Sequence, residues 1–486
     1  MAKEIASDVL DVPSQIRAVR RGRQTYWRIT AAVLAFTSLL WWSRSWIPSI
    51  TPRICTGSAV VTGSDVPDVG FPESFLRSWA QYSPYIPVAG YNPPPPGCVV
   101  TQVNLIQRHG ARWPTTDAGK EMKKTVKKLQ GVKHYKEEYL AFLKHFTWDF
   151  GANDLLPLGA KQSFEAGVVA FNRYAHILTE DNPPFVRAAG MARVVDSANN
   201  WTAGFRKANH NTIKAKVDLI IPETGNLTLD DGMCPNAEDK GKESKTWLKI
   251  FARSIKKRLN AAAPGAHLSN KDTHNLMSLC AFHSQVLMAP SPFCGLFNAE
   301  EFTGYLYHSD LSKFYANGYG GSLGRVQGVG YVNELLARLT GQPVQDHTQT
   351  NRTLDGSPKT FPLNRILYAD FSHDNEMVSI YSALGLFRQL LLPDQKLDPA
   401  NPSPLRTWIT SNLVPFSARM VVEKLECGVE RLPLPKGAFV RILVNDAVQP
   451  LEFCGGVSGL CELHAFVASQ GYARHDGDGD FDKCFV

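Results

Sequence analysis

Apolar residues recur along this chain with the spacing of strands in some segments and of helices in others. An alternating, β-branched pattern predicts a strand at residues 99–106, and short apolar runs predict further strands at residues 185–188 and 365–371. Apolar residues at helical spacing predict helices at residues 120–146, 158–174, 194–205, 332–339 and from 375 onward. Strands that alternate with helices in this way are typical of an α/β sheet domain.

Two regions depart from this alternation. Residues from about 219 to 331 are less regular and contain at most four helical patterns, which predicts a mainly helical subdomain inserted into the sheet domain. Residues 49–97 are rich in Pro, Gly and Ser, which predicts a stalk followed by a lead segment laid over the domain surface. The sheet domain with its insertion is expected to cover residues 98–486.

Charged and imidazole side chains follow two of the predicted strands. Arg108, His109 and Arg112 come after the first strand, and His373 and Asp374 come after the strand at 365–371. Since open α/β sheets bind ligands at the carboxyl ends of their strands, we expect these side chains to meet. Two guanidinium groups beside an imidazole suit a phosphate dianion, and a neutral imidazole nitrogen can attack phosphorus. A surface Arg/His cluster is the alternative interpretation of this spacing.

Two small residues refine this picture. Gly110 leaves space beside His109, which predicts that another group approaches the imidazole closely. Pro114 argues against a helix that begins immediately after the motif.

The first 50 residues differ in composition from the rest. Residues 29–42 carry no charge, and as a helix they would extend about 21 Å against the roughly 30 Å hydrocarbon core of a membrane. Flanking tryptophans, Arg28 and Arg44 can close this gap. We therefore predict a basic cytoplasmic tail at 1–25 and a transmembrane signal-anchor at 26–48, which gives a single-pass type II membrane protein of the secretory pathway. A cleaved signal peptide, which would leave a secreted protein, is the alternative.

Net charge and cysteine content limit the possible partners. Of the formal charge of +7, the first 50 residues contribute seven Lys/Arg and three Asp/Glu, and the remainder holds 45 against 42, so nucleic acid is not a predicted partner. All nine cysteines follow the apolar segment, as an oxidising compartment allows, but their spacing leaves the connectivity open. No CxxC pair or HExxH motif occurs, so no metal site is predicted. Sequons at Asn200, Asn226 and Asn351 agree with passage through the secretory pathway.

Two motifs resemble those of a known enzyme family. Arg108-His-Gly-Ala-Arg-Trp-Pro-Thr115 resembles the RHGxRxP signature of the histidine acid phosphatases, and Phe371-Ser-His-Asp-Asn375 resembles their second, HD, signature. The similarity extends from about Ser78 to the C-terminus, and segments such as Gly328-Val-Gly-Tyr-Val-Asn-Glu-Leu resemble the fungal phytase branch. The resemblance implies an α/β fold with a phosphoglycerate mutase-like sheet domain and helices on both faces.

The resemblance also implies roles for individual residues. His109 would be the nucleophile that forms a phosphohistidine, and Asp374 would protonate the leaving oxygen, without a metal or other cofactor. The phosphoryl oxygens would be held by Arg108, Arg112, Arg193 and His373. The implied disulfide pairs are Cys98–Cys427, Cys234–Cys484, Cys280–Cys294 and Cys454–Cys461, which leaves Cys55 either free or in an intermolecular bridge.

The expected substrate is inositol hexakisphosphate (phytate) at acidic pH. A polyanion requires positive charge around the pocket, for which Lys120, Lys123, Lys124 and Lys313 are the candidates. The chain departs from the Aspergillus-type pattern, because Ala118 and Glu121 stand where that pattern has lysines and Ser312 replaces one of a lysine pair. The alternatives are a broad-specificity acid phosphatase, a mutase-like phosphotransferase and an inactive, membrane-anchored interaction protein.

Overall fold

The computed structural model describes residues 69–237, 241–428 and 436–486. The predicted basic tail (1–25), signal-anchor (26–48), the first part of the stalk and Cys55 lie outside these residues. None of the helices in the described ranges is long and apolar enough to cross a membrane.

Eight strands of the described residues form one sheet with the order β3-β2-β4-β1-β5-β6-β7, in which β8 pairs with β6. The first four strands in this order are parallel, whereas β5, β6 and β7 are each antiparallel to the strand before them. The strands are β1 (Cys98–Arg108), β2 (Phe185–Ala189), β3 (Val217–Ile221), β4 (Leu367–Ser372), β5 (Arg419–Cys427), β6 (Gly437–Val444), β7 (Ala447–Val448) and β8 (Cys461–Glu462).

Helices cover the sheet and extend beyond it. The longer ones are α1 (Thr116–Gln130), α2 (Pro157–Tyr174), α3 (Ala192–Ala208), α4 (Lys242–Ala262), α5 (Asn270–Leu287), α6 (Ala299–Ala316), α7 (Val329–Thr340) and α8 (Asp374–Leu384). Shorter helices occupy Glu73–Leu76, Arg352–Asp355, Thr410–Leu413, Leu463–Ser469 and Gly471–Arg474. All residues of β4, and residues 103–108 of β1, are buried. Because successive side chains of a strand point to opposite faces, helices must cover both faces of the sheet there.

The predicted helix at 120–146 is wrong in extent. Helix α1 ends at Gln130, where Gly131 forms the C-cap, and a separate 3-10 segment occupies Glu138–Lys144. Glycine disfavours a continuing helix. The apolar residues Leu140 and Leu143 are instead buried from the 3-10 segment. The other predicted helices differ from the observed ones by a few residues at their ends.

A second apolar core lies in the helical part of the molecule. It contains buried residues of α1, α4, α5 and α6, together with Leu76, Trp79 and Phe416. Residues 69–97, the described part of the predicted stalk and lead, therefore contribute to this core rather than projecting from the domain. The helical part also includes residues that precede 219, the expected start of the subdomain, such as those of α1.

Four disulfides tie distant segments together. They join Cys98 to Cys427, Cys234 to Cys484, Cys280 to Cys294 and Cys454 to Cys461, which are the pairs that the resemblance implies. The first pair joins β1 to its antiparallel neighbour β5, and the second holds the C-terminal residues against the segment before α4. Disulfides of this kind form and persist in oxidising compartments.

The three sequons occupy different settings. Asn226 is exposed, whereas Asn351 caps a short helix through its side-chain oxygen, which accepts from the Leu354 N–H at 3.2 Å. Asn200 lies within α3, and its side-chain amide donates to the Asp196 carbonyl at 2.8 Å. Glycosylation at these positions stays a prediction.

Candidate active site

Polar side chains follow the carboxyl ends of four parallel strands. Strands β1 and β4 pair in register up to Arg108 and Ser372, and the His109 N–H donates to the Ser372 carbonyl at 3.1 Å. This pairing brings the two predicted histidines together, with the ring centroids of His109 and His373 5.7 Å apart. The two sequence motifs therefore form one site, as expected from the strand-end rule.

His109 is fully buried and held as a neutral base. Its Nδ1 lies 2.9 Å from the Gly110 carbonyl oxygen. Because a carbonyl oxygen only accepts, Nδ1 carries the hydrogen and Nε2 keeps a lone pair, for which the described residues offer no hydrogen-bond partner. Burial, followed by the charges of Arg108 and Arg112, lowers the pKa of His109 well below its ordinary value. His109 therefore presents an unprotonated nitrogen at acidic as well as neutral pH.

Three arginines surround this nitrogen. Arg108, Arg112 and Arg193 are all buried, and the Nε of each lacks a hydrogen-bond partner among the described residues. Burial, opposed by Asp374 but reinforced by Arg112, lowers the pKa of Arg108 to about 10, and burial with Arg112 lowers that of Arg193 to about 10. Arg108 and Arg193 therefore remain cationic at acidic pH. Buried donors without partners indicate a site for an anion.

The arginines are fixed by their elements. Arg108 ends β1, and one of its terminal nitrogens donates to the Val414 carbonyl at 2.7 Å while the guanidinium lies 4.6 Å from the centre of the Phe416 ring. Arg193 lies in the first turn of α3, where unpaired backbone N–H groups and the helix dipole also favour an anion. Arg112 donates to the Trp113 carbonyl at 2.8 Å.

Asp374 is the first residue of α8 and faces two cations. Its Oδ2 lies 3.3 Å from Arg108 Nη2 and 2.7 Å from Lys313 Nζ. Burial alone would raise the pKa of Asp374, but the positive charges of Arg108 and Lys313 hold it well below its ordinary value. In the free protein Asp374 is therefore an ionised carboxylate.

Two of the four lysines singled out by sequence, Lys313 and Lys120, have different settings. Lys313, expected at the periphery, reaches into the site through its contacts with Asp374 and Asn375. Lys120 is exposed and pairs with Asp117 at 3.3 Å. Close by, Glu121 holds both Lys124 and Lys271, at 2.7 and 2.8 Å, and so offsets positive charge on this surface.

Glycine is required at position 110 for a different reason from the one that the sequence indicated. A Cβ on Gly110 would lie 2.2 Å from the carbonyl oxygen of Gly159, in the first turn of α2. The group that approaches Gly110 is thus the backbone of a neighbouring helix. Close packing of α2 against the motif holds His109 in place.

Glu223 is a site residue that sequence reasoning missed. It follows β3, and its Oε1 lies 2.9 Å from His373 Nε2. The strand-end rule could have found it, but the five-residue strand before it was not recognised. Glu223, Asp230 and His373 place their ligand-type atoms within 4.8 Å of one another. Glu223 and His373 are hydrogen-bonded to each other, with the carboxylate accepting from the imidazole.

Beneath the site, buried charges lock the strands together. Arg187 of β2 and Arg338 of α7 both bind Asp370 of β4, at 2.8 and 2.6 Å, and Arg187 also binds Glu334 at 2.5 Å. Since each charge is paired and desolvated with its partner, the network fixes the relative positions of β2, β4 and α7.

Comparison with known proteins identifies the family. Residues 99–445 match the model of the histidine phosphatase superfamily (branch 2). The chain belongs to this superfamily. Phytase A of Arthroderma benhamiae is 41% identical over 436 residues, covering 86% of this chain and 93% of that protein. Phytase A of Aspergillus fumigatus is 38% identical over 450 residues, covering 88% and 95%. The likeness to the fungal phytase branch is thereby confirmed.

Solved structures agree with the fold of a branch 2 histidine phosphatase. The phytase from D. castellii aligns with a TM-score of 0.66 at 23% identity, covering 82% of this chain and 85% of the other. A multiple inositol polyphosphate phosphatase of Bifidobacterium longum, in complex with inositol hexasulfate, aligns with a TM-score of 0.59 at 14% identity, covering 82% and 98%. Together with the family match and the Phytase A relatives, this fold identifies the chain as a phytase-like hydrolase of phosphomonoesters.

Proposed function

We propose that the chain hydrolyses phytate at acidic pH through a phosphohistidine on His109. The observation that carries this proposal is the free Nε2 of a neutral, buried His109 among three arginines. That arrangement supplies a nucleophile and an anion site in one place.

In the first step, His109 Nε2 attacks phosphorus in line, so that the N–P bond forms as the ester P–O bond breaks. Arg108, Arg112, Arg193 and His373 hold the phosphoryl oxygens. Each charge-assisted hydrogen bond contributes about 1.5–3 kcal/mol, so these groups can bind the phosphoryl group together. Asp374 donates its proton to the leaving oxygen.

In the second step, water attacks the phosphohistidine and the N–P bond breaks, which releases inorganic phosphate. Asp374, now a carboxylate, takes the proton of the attacking water. His109 returns to its neutral form, and the cycle closes without net change in the protein.

Asp374 must gain a proton before it can act, although it is ionised in the free protein. A bound phosphate dianion brings negative charge next to Asp374 and competes for Arg108. Both effects raise the pKa of the carboxyl group in the complex. Acidic pH then supplies the proton, which supports an acid phosphatase.

Phytate is proposed as substrate because the relatives named above are phytases and because Lys313 adds positive charge beside the phosphoryl site. A broad-specificity acid phosphatase is the second candidate. It is favoured by Glu121, whose ion pairs with Lys124 and Lys271 reduce the positive charge available to a polyanion.

The test compares phosphate release from phytate and from an aryl phosphate at acidic pH. We expect a specificity constant for phytate at least comparable to that for the aryl ester, and a larger loss on phytate in a Lys120→Ala/Lys313→Ala variant. Strong aryl phosphatase activity with negligible phytate turnover would select the broad acid phosphatase. Phosphate transferred to an acceptor alcohol, without release, would select the mutase-like reaction.

We also propose that residues 26–48 form a signal-anchor, with the tail at 1–25 in the cytoplasm and residues 98–486 as the catalytic domain in the secretory pathway. The four disulfides support the compartment. We expect the full chain to sediment with membranes and to resist carbonate extraction. Soluble protein trimmed at its N-terminus would select the cleaved signal peptide.

A further inference from the structure

Glu223 joins the segments that follow three strands. It lies two residues after β3 and is half-buried. Its Oε1 accepts two hydrogen bonds, from the Met191 N–H at 3.0 Å and from His373 Nε2 at 2.9 Å. Met191 follows β2 and is the N-cap residue of α3, which carries Arg193, whereas His373 follows β4 and is the N-cap residue of α8. A single carboxylate oxygen thus connects His373 to the backbone at the start of the helix that carries Arg193.

This contact fixes the orientation of the His373 ring. Because a carboxylate only accepts, the hydrogen on this side belongs to Nε2. The other nitrogen, Nδ1, lies 3.4 Å from Arg193 Nη2, and because a guanidinium only donates, Nδ1 accepts from Arg193 in the free protein. For Nδ1 to donate to a phosphoryl oxygen while Nε2 donates to Glu223, both nitrogens must carry hydrogen. In the complex the ring must then be an imidazolium, with Glu223 as its adjacent counter-charge.

Charged and titratable groups lie on both sides of this pair. Arg193 and His109 face His373 from one side, and Asp230 lies 3.8 Å from Nε2 on the other. Burial would raise the pKa of Glu223, but the hydrogen bond and charge of His373 outweigh burial and lower it. Burial raises the pKa of Asp230. At acidic pH, Glu223 is therefore the better counter-charge of the two.

We propose that Glu223 is a positioning residue, which orients His373, supplies the counter-charge for its protonated ring and holds the start of α3 beside it. The proposal rests on the proposed role of His373 in binding the phosphoryl group. Glu223 itself would not touch the substrate, so its effect must appear through His373.

The test uses Glu223→Gln, which keeps an acceptor oxygen but removes the charge, and Glu223→Ala, which removes both. The matched control is Glu165→Gln, which changes a partly exposed residue of α2 outside the site. We would measure kcat and KM for an aryl phosphate, and the affinity for inorganic phosphate, from acidic to neutral pH. Thermal unfolding of each variant checks that it is folded.

For Glu223→Gln we expect near wild-type kcat/KM at the acidic end, with the alkaline limb moved to lower pH because the ring loses its proton more readily. For Glu223→Ala we expect a loss of about tenfold or more at every pH, since misplaced groups cost that much. Glu165→Gln should match the wild type. An alkaline limb that stays in place in folded Glu223→Gln would overturn the proposal, whatever the loss in kcat. Absence of turnover in the wild type would instead overturn the proposed function.

Discussion

His109 is set apart from an ordinary histidine by what surrounds it. Burial and the neighbouring cations lower its pKa, so the neutral form persists as the pH falls through about 6.5, where an unperturbed histidine gains its proton. Formation of the phosphoenzyme from an activated ester should therefore show no acid limb near that pH. Single-turnover measurements over this range test it, and a rate that falls with a midpoint near 6.5 would contradict the neutral nucleophile.

Lys313 should set the pH at which Asp374 titrates. Its charge helps to hold the pKa of Asp374 down, so Lys313→Ala raises that pKa and keeps the proton donor loaded at higher pH. The alkaline limb of kcat for an alkyl phosphate should move to higher pH. For an activated aryl ester the limb should not move, because its leaving group needs no proton from Asp374. Lys120→Ala, which alters an exposed lysine paired with Asp117, is the control and should leave the limb unchanged.

At the scale of single residues, the sequence indicated those that directly follow a recognised strand and missed Glu223, which follows a strand that was not recognised. His109, His373 and Asp374 were predicted from strand ends. Arg193 depended on the resemblance, because a lone arginine before a helix carries no distinguishing signal. Glu223 was not found, since its role arises from hydrogen bonds to residues 32 and 150 positions away.

Among the secondary-structure elements, helix α2 depends on a backbone contact with the motif. A Cβ at Gly159 would lie 2.1 Å from the Ala111 carbonyl oxygen, and neither backbone can move freely. Gly159→Ala should destabilise the protein by about 1–3 kcal/mol and lower activity, because Ala111 lies between His109 and Arg112. Urea unfolding measures the change.

Gly119→Ala in α1 is the matched control. The nearest atoms to its added Cβ lie 3.9 Å away, and alanine favours a helix over glycine by up to about 1 kcal/mol. This variant should be as stable as the wild type or more stable. Equal stability losses in the two variants would contradict the close-packing explanation.

Elements with a regular apolar period were predicted well, whereas a strand whose apolar period is interrupted was not. Strands β1, β2 and β4 and helix α2 were found near their observed bounds. Strand β5 was not predicted, because buried charges interrupt its apolar pattern. Its Glu423 is fully buried, pairs with Arg441 of β6 and accepts from the Tyr174 hydroxyl at 2.6 Å. Such pairs become apparent only once the strands are placed side by side.

At the scale of the whole molecule, the disulfides should contribute different amounts to the free energy of unfolding. Cys234–Cys484 closes a separation of 250 residues, and Cys454–Cys461 closes one of 7. When both cysteines of a pair are changed to serine, loop-closure entropy predicts that the free energy of unfolding falls by about 5 kcal/mol for the first pair and about 2 kcal/mol for the second. Denaturant unfolding of the two double variants tests the order, and a larger loss for the short loop would contradict it.

Covalent labelling tests the phosphohistidine on His109 most directly. The folded protein, and an Asp374→Asn variant that retains the nucleophile, would be mixed with a radiolabelled activated phosphate ester and quenched within one turnover. We expect an acid-labile, base-stable phosphoryl label on the peptide that contains His109, more persistent in Asp374→Asn and absent in His109→Ala. Rapid turnover without such a label, or a label on another residue, would contradict the proposed mechanism.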